Sequence, residues 1–279
     1  ISRQLETRLN AAGRSQRFTV INAGVDGYGP WQERVRLLEI GFALQPDIVA
    51  LQVFPPNDID NSLGKIGKRM RAYDPAWEHL LQNRRQWGAW QVRADEWFIR
   101  HSAFYNRLVR VTGVPAPLIE VLNRLRLVRH PMPQLPKSES RPYWLEVQLK
   151  DWYEELVEGR ALMEADILAI RDDCRARRVT FLLYSVPDMN TVCDASWKWT
   201  MDQVDDPSIY ERGKDVSIVR ELCEREELHC IDLADAMFAS PSPCELYYGM
   251  DGHLTPAGAA LTARTIADYL LGSAVLPIE

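Results

Sequence analysis

Four short apolar runs, separated by segments of helical periodicity, constrain the fold more than any other feature of this chain. They are FTVIN (18–22), DIVALQVF (47–54), VTFLLYSVP (179–187) and LHCIDL (228–233). The second is nearly continuous in apolar residues, the pattern of a strand buried on both sheet faces. Helical spacing links Trp31, Val35, Leu38 and Phe42 after the first run, and Met163, Ile167, Ile170 and Cys174 before the third. Val219, Leu222 and Cys223 repeat it less fully before the fourth. Strands alternating with helices predict an α/β fold, an open parallel sheet covered on both faces. The chain closes on TPAGAALTARTIADYLL. There Thr255 is an N-cap candidate ahead of Pro256, and Ala263, Ile266, Ala267 and Leu270 form the apolar stripe. It opens already inside a helical pattern, with Leu5 and Leu9 four apart and Gly13 placed to end the helix.

The alternation is interrupted between the second and third strands. Residues 62–160 are too many for a loop and must carry their own structure. They read as a long, mostly helical insertion, a possible lid, that ends in the Pro-rich connector RHPMPQLPKSESRP (129–142). Its Trp77, Trp87, Trp90, Trp97, Trp144 and Trp152 fit either internal packing or an aromatic surface for sugars or acyl chains. The expected organisation is therefore 1–61 and 161–279 as two parts of one α/β domain, with 62–160 between them.

Charge narrows the partners. The formal net charge is −6 and no long basic run occurs, which argues against nucleic acid binding by phosphate neutralisation. No apolar run approaches the ~20 residues needed to span a bilayer. The five cysteines show no CxxC pair and no metal-ligand spacing. Cys174 falls on an apolar helix face and reads as core filler; Cys193 and Cys244 lie in loop-like segments and could pair in an oxidising compartment.

Ligands of an open parallel sheet bind beyond the carboxyl ends of its strands, and three segments fall at such ends. After FTVIN come Gly24, Gly27 and Gly29, then Pro30 at a helix start. Such a turn suits an anion or oxyanion held by backbone N–H groups, or is simply tight. The order GxxGxG is not the GxGxxG of dinucleotide sites, and no acidic residue closes the next strand where that fingerprint expects one. After the most apolar run, FPPNDIDN (54–61) presents Asn57 and Asp58. The Asn amide can donate to a developing oxyanion, although an Asn-Asp pair is also ordinary turn chemistry. Asp58, Asp60 and Asn61 lack the glycine and distal glutamate of a calcium loop. In YYGMDGHLTPAG (247–258), Asp251 and His253 lie two apart before a helix, either an oriented general base or a capping Asp with an incidental His. His79, His101 and His130 fall in the insertion and His229 in a strand.

Taken together, NAGVDGYG, PPNDIDN and DGHLTPAG resemble the second, third and last sequence blocks of the SGNH (GDSL-type) hydrolases. The likeness runs from Ile1 to about Asn61 and from about Leu162 to Leu271. It implies a flavodoxin-like three-layer α/β/α fold and a serine-type esterase that removes an acetyl or small acyl group, with no cofactor. In that family the matching positions make Gly27 and Asn57 oxyanion donors, His253 the base and Asp251 its orienting acid. The spacing here is Asp-x-His, where Asp-x-x-His is commoner. The implied partner is a small-molecule or polysaccharide ester; family roles in surface polysaccharides point outside the cytoplasm. An O-acyltransferase and a non-catalytic carbohydrate-binding protein are the alternatives. The family's Gly-Asp-Ser block, which holds the nucleophile, occurs nowhere in these 279 residues. Ser185 does not match its position and reads as structural, and Ser2 and Ser15 match nothing. The resemblance thus implies an N-terminal segment carrying both the central strand and the serine.

Overall fold

A computed structural model gives the fold and describes residues 1–13, 15–25, 27–63, 143–249, 252–273 and 275–276. Ile1–Lys65 and Arg141–Glu279 form one compact unit. In chain order its main elements are α1 (Ser2–Ala11), α2 (Pro30–Arg36), β1 (Ile48–Val53), α3 (Pro55–Ser62), α4 (Tyr143–Glu146) and α5 (Glu154–Ala176). Then follow β2 (Thr180–Ser185), α6 (Met189–Val192), α7 (Asp194–Met201), α8 (Lys214–Arg225), β3 (Cys230–Asp232), α9 (Leu233–Phe238) and α10 (Pro256–Gly272).

The chain is an α/β protein with a parallel sheet in the order β1-β2-β3. Val53, Ser185 and Asp232 lie abreast, so the three strands end at one level. Alternate strand residues feed two apolar cores. Leu51, Val53, Phe181 and Leu183 pack with Ile59, with Met163, Ile167, Ile170 and Cys174 of α5, and with Ile218, Val219 and Leu222 of α8. Leu182 and Ile231 pack with Leu5 and Leu9 of α1, with Leu233 and Met237 of α9, and with Ala263, Ile266, Ala267 and Leu270 of α10. The periodic stripes of α1, α5, α8 and α10 thus face the cores expected of them, and Cys174 is a buried free thiol. Leu145, Val147, Leu149 and Leu156, read from the sequence as the end of the insertion, belong to the first core. Trp77, Trp87, Trp90, Trp97 and the histidines at 79, 101 and 130 lie outside the described residues, as does most of the segment that holds them.

Three expectations change. Residues 18–22 form no strand. Their backbone is met by side chains of α1: Asn10 Oδ1 accepts from Phe18 N–H at 2.9 Å, Asn10 Nδ2 donates to Phe18 O at 2.8 Å, and Glu6 accepts from Val20 N–H at 2.7 Å. A strand needs a neighbouring ladder, and among the described residues none lies beside this one. Trp31, Val35 and Leu38 are 44, 44 and 42% exposed. The helix docks through Pro30, Glu33, Leu37 and Gly41 instead, and a π turn over Leu37–Gly41 shifts the phase so that Phe42 reaches the core. Finally, FPPNDIDN is a helix rather than a loop. Pro55 and Pro56 occupy its first turn, where a missing N–H costs nothing.

Two disulfides close within the described residues, Cys193–Cys244 and Cys223–Cys230. The second joins the end of α8 to the start of β3, whereas helical spacing alone places Cys223 on an apolar stripe.

Candidate functional site

The glycine turn follows residues 18–22 and precedes α2. Gly27 has φ +76, open space where a Cβ would lie, and an exposed surface. Only glycine holds that backbone without strain. Gly29 has an extended backbone and is buried for a different reason: a Cβ there would meet Asn61 Cβ at 2.5 Å. The glycine turn therefore rests directly on α3. Gln32 Oε1 accepts from Gly29 N–H at 2.8 Å and closes the start of α2.

Asn57 sits in the first turn of α3, partly exposed and one helical turn before Asn61. Residues four apart share a helix face, so Asn57 and the Gly29 contact lie on the same side of α3. The strand-to-helix joint is locked by Asp58, whose Oδ2 accepts from Phe54 N–H at 2.7 Å. Asp58 is buried, and burial pushes its carboxyl up to about 7 against the pull of the Phe54 and Asn61 hydrogen bonds. Glu33 of α2 is pushed up to about 8, first by burial and then by the Asp58 carboxyl nearby. Two acids of α2 and α3 thus lie within electrostatic reach of each other. Sequence reasoning passes over Glu33, because a Glu in the first turn of a helix ordinarily serves the helix dipole. A hint lies in its spacing from Pro30, Leu37 and Gly41, the face that docks.

His253 lies in a short hairpin, and its side chain is exposed. Tyr247 and Leu254 bridge, Tyr248 N–H donates to His253 O at 2.8 Å, and Gly252 N–H donates to Tyr248 O at 2.9 Å. Tyr248, 49% exposed, and His253 are directly opposed in this antiparallel pair, and opposed residues share a face. The hairpin is anchored to the sheet by Tyr247, whose hydroxyl donates to Pro187 O at 2.9 Å. Pro187 lies two residues past β2, and Pro55 lies two past β1. Because these strand ends are abreast, the Asn57 helix and the His253 anchor leave one edge of the sheet from adjacent strands. His229 precedes β3 and lies beside the middle of β2, its backbone O accepting from Leu183 N–H at 2.9 Å, away from this edge. Asp251, the expected partner of His253, is outside the described residues. Ser185 is buried beneath this edge, and its Oγ has no hydrogen-bond partner among the described residues.

Among the described residues no group of acidic, His and Cys side chains could hold a metal, and no helix is long and apolar enough to cross a membrane. Comparison with known proteins finds no match to any family model, curated protein or solved structure.

Proposed function

We propose that this chain carries most of the active site of an SGNH-type serine esterase that removes an acetyl or other small acyl group, from a carbohydrate or a similar ester. One observation carries the reading most: the Gly27 turn rests on the helix of Asn57, at the sheet edge where the His253 hairpin is anchored. Two neutral N–H donors on adjoining rigid elements are what a developing oxyanion requires. His253 would take the proton of a serine hydroxyl as its oxygen attacks the ester carbonyl. Gly27 N–H and Asn57 Nδ2 would hold the negative oxygen of the tetrahedral intermediate. The protonated imidazole would then give its proton to the departing alcohol, and water, activated in the same way, would release the acid. Asp251 would orient the imidazole. The exposed Tyr248 ring beside His253 offers an apolar wall to the substrate.

The serine would come from a strand outside the sequence. Parallel pairing with β2 uses the backbone groups of Val49, Leu51 and Val53, since Thr180 N–H donates to Asp47 O and Val186 N–H to Val53 O. Those of Ile48, Ala50 and Gln52 face the other edge of β1, which has no partner strand among the described residues. In flavodoxin-like order, that edge and residues 18–22 flank the central first strand. We infer that an upstream segment fills this place and presents the nucleophile at its carboxyl end. Two disulfides fit an oxidising, extracytoplasmic compartment.

The test uses a form extended upstream of Ile1. Asn57→Ala is expected to lower kcat by about 10²–10³ and leave KM near its original value. Full activity in that variant would refute the assignment. A fluorophosphonate probe should label the extended form; absence of label would favour a carbohydrate-binding protein without a nucleophile.

A further inference from the structure

The Cys193–Cys244 disulfide joins two parts of the fold of unequal rigidity. Cys193 is buried at the junction of α6 and α7: its N–H donates to Met189 O at 2.8 Å, its O accepts from Trp197 N–H at 2.9 Å, and its sulfur accepts from Ser196 N–H. Next to it the buried Asn190 side chain accepts from Ser196 and Thr200 hydroxyls at 2.7 and 2.9 Å. This end is fixed. Cys244 is exposed and lies three residues before Tyr247, at the entry to the His253 hairpin. Besides its own backbone bonds, the hairpin is held where Leu246 and Tyr247 are buried in the second core and where the Tyr247 hydroxyl meets Pro187 O and Met237 Sδ. Thr255 N–H donates to Leu246 O at 2.9 Å and the Thr255 hydroxyl to Glu245 O at 2.8 Å, which close the segment on itself. The part that carries His253 lies beyond these attachments and is exposed.

We infer that the Cys193–Cys244 disulfide is a positioning element for His253, clamping the hairpin to the α6–α7 junction so that the imidazole holds its place over the sheet edge. The proposal rests on the esterase reading only for what His253 does there. An external dithiol can open the clamp from the exposed side. Its thiolate attacks Cys244 Sγ and expels the Cys193 thiolate; its second thiol then displaces Cys244, leaving two protein thiols and an oxidised dithiol. With the clamp open, Cys244 loses its covalent tie to the α6–α7 junction, and the hairpin is held by the core packing of Leu246 and Tyr247 and the Tyr247 hydroxyl bond.

The experiment compares the oxidised protein with the Cys193→Ser/Cys244→Ser double variant, using Cys223→Ser/Cys230→Ser as control. Amide exchange is read by residue. Opening the clamp is expected to speed exchange across 244–255 by at least about tenfold. Exchange in β1–β3 stays unchanged, and the control variant leaves 244–255 as in the parent. Where ester hydrolysis is measured, kcat falls and KM holds. Unaltered exchange at 244–255 would overturn the proposal. So would equal acceleration in the sheet, because the bond would then be a general staple. Lack of any hydrolysis in the oxidised extended form refutes the esterase reading and leaves the clamp to be decided by exchange.

Discussion

Gly27 and Gly29 lie two residues apart and would resist alanine for unrelated reasons. At Gly27 the cost is conformational, about 1–2 kcal/mol for placing an L residue at positive φ, and the added methyl meets nothing. At Gly29 the backbone tolerates alanine, but the methyl collides with Asn61 Cβ and pushes the turn off α3. Gly29→Ala is expected to cost about 1–3 kcal/mol in urea unfolding, and to impair hydrolysis through the displaced turn. Adding Asn61→Gln would not relieve the clash, because the Cβ stays. Beneath the turn, Glu33 and Asp58 have folded-state pKa values raised to about 8 and about 7 from 4.5 and 3.8. The folded state then binds more protons than the unfolded state between these limits. The stability they contribute is present below about pH 4 and is lost as pH rises through about 7 to 8. Asp188, raised to about 6 by burial and by Asp215, adds the same trend at lower pH. The urea midpoint should therefore fall from about pH 5 to about pH 8.5, and Glu33→Gln should flatten the decline. Parallel curves for the two proteins would show that Glu33 does not hold a proton. The glycines and Asn57 can be picked out in the sequence because their residue types are chemically marked. Glu33 cannot, because its significance arises only when α2 meets α3.

At the scale of elements, the periodic signal is sufficient wherever a helix spans a whole face of a core. α5 and α10 bury the stripes that their spacing defines, and Thr255 caps α10 by accepting from Gly258 N–H at 3.3 Å. Thr255→Ala removes that cap and the bond to Glu245 O, and should cost about 1 kcal/mol in thermal or urea unfolding. A loss near zero would show that water replaces both bonds. Spacing misleads at α2 because its most apolar face is not its docking face. The segment buries Pro30 and Gly41, and Trp31, Val35 and Leu38 stay in the open. It misleads at α3 in another way. Two prolines followed by Asn and Asp carry every mark of a turn, and the same prolines are well suited to a first helical turn. The choice is made by Asp58, which returns its carboxyl to the Phe54 amide once the segment is buried. The disulfides belong here too: Cys223–Cys230 spans a helix end and a strand start, a junction that no local cysteine pattern announces.

The whole molecule is where residues 18–22 and β1 must be understood together. Local propensity favours a strand at 18–22, but strand formation depends on a neighbour, and α1 side chains take up backbone groups that a ladder would otherwise hold. DIVALQVF likewise has the pattern of a strand buried on both faces, yet Ala50 and Gln52 are exposed, as is Ile21 at 57%. One more strand between them, with the layer packed on it, would cover all three. Amide exchange tests this directly, because pairing in a parallel sheet alternates along β1. In this chain alone, Val49, Leu51 and Val53 should be protected by β2, while Ala50 and Gln52 should exchange rapidly. In a form extended upstream of Ile1, Ala50 and Gln52 should gain protection comparable to that of Leu51, and amides within 18–22 should slow with them. Protection at Ala50 without change at 18–22 would mean that a strand adds to the edge of β1 without bridging to the glycine turn. The serine would then have no route to Gly27. If neither region slows, β1 is a true edge strand, and the nucleophile must be sought elsewhere or does not exist.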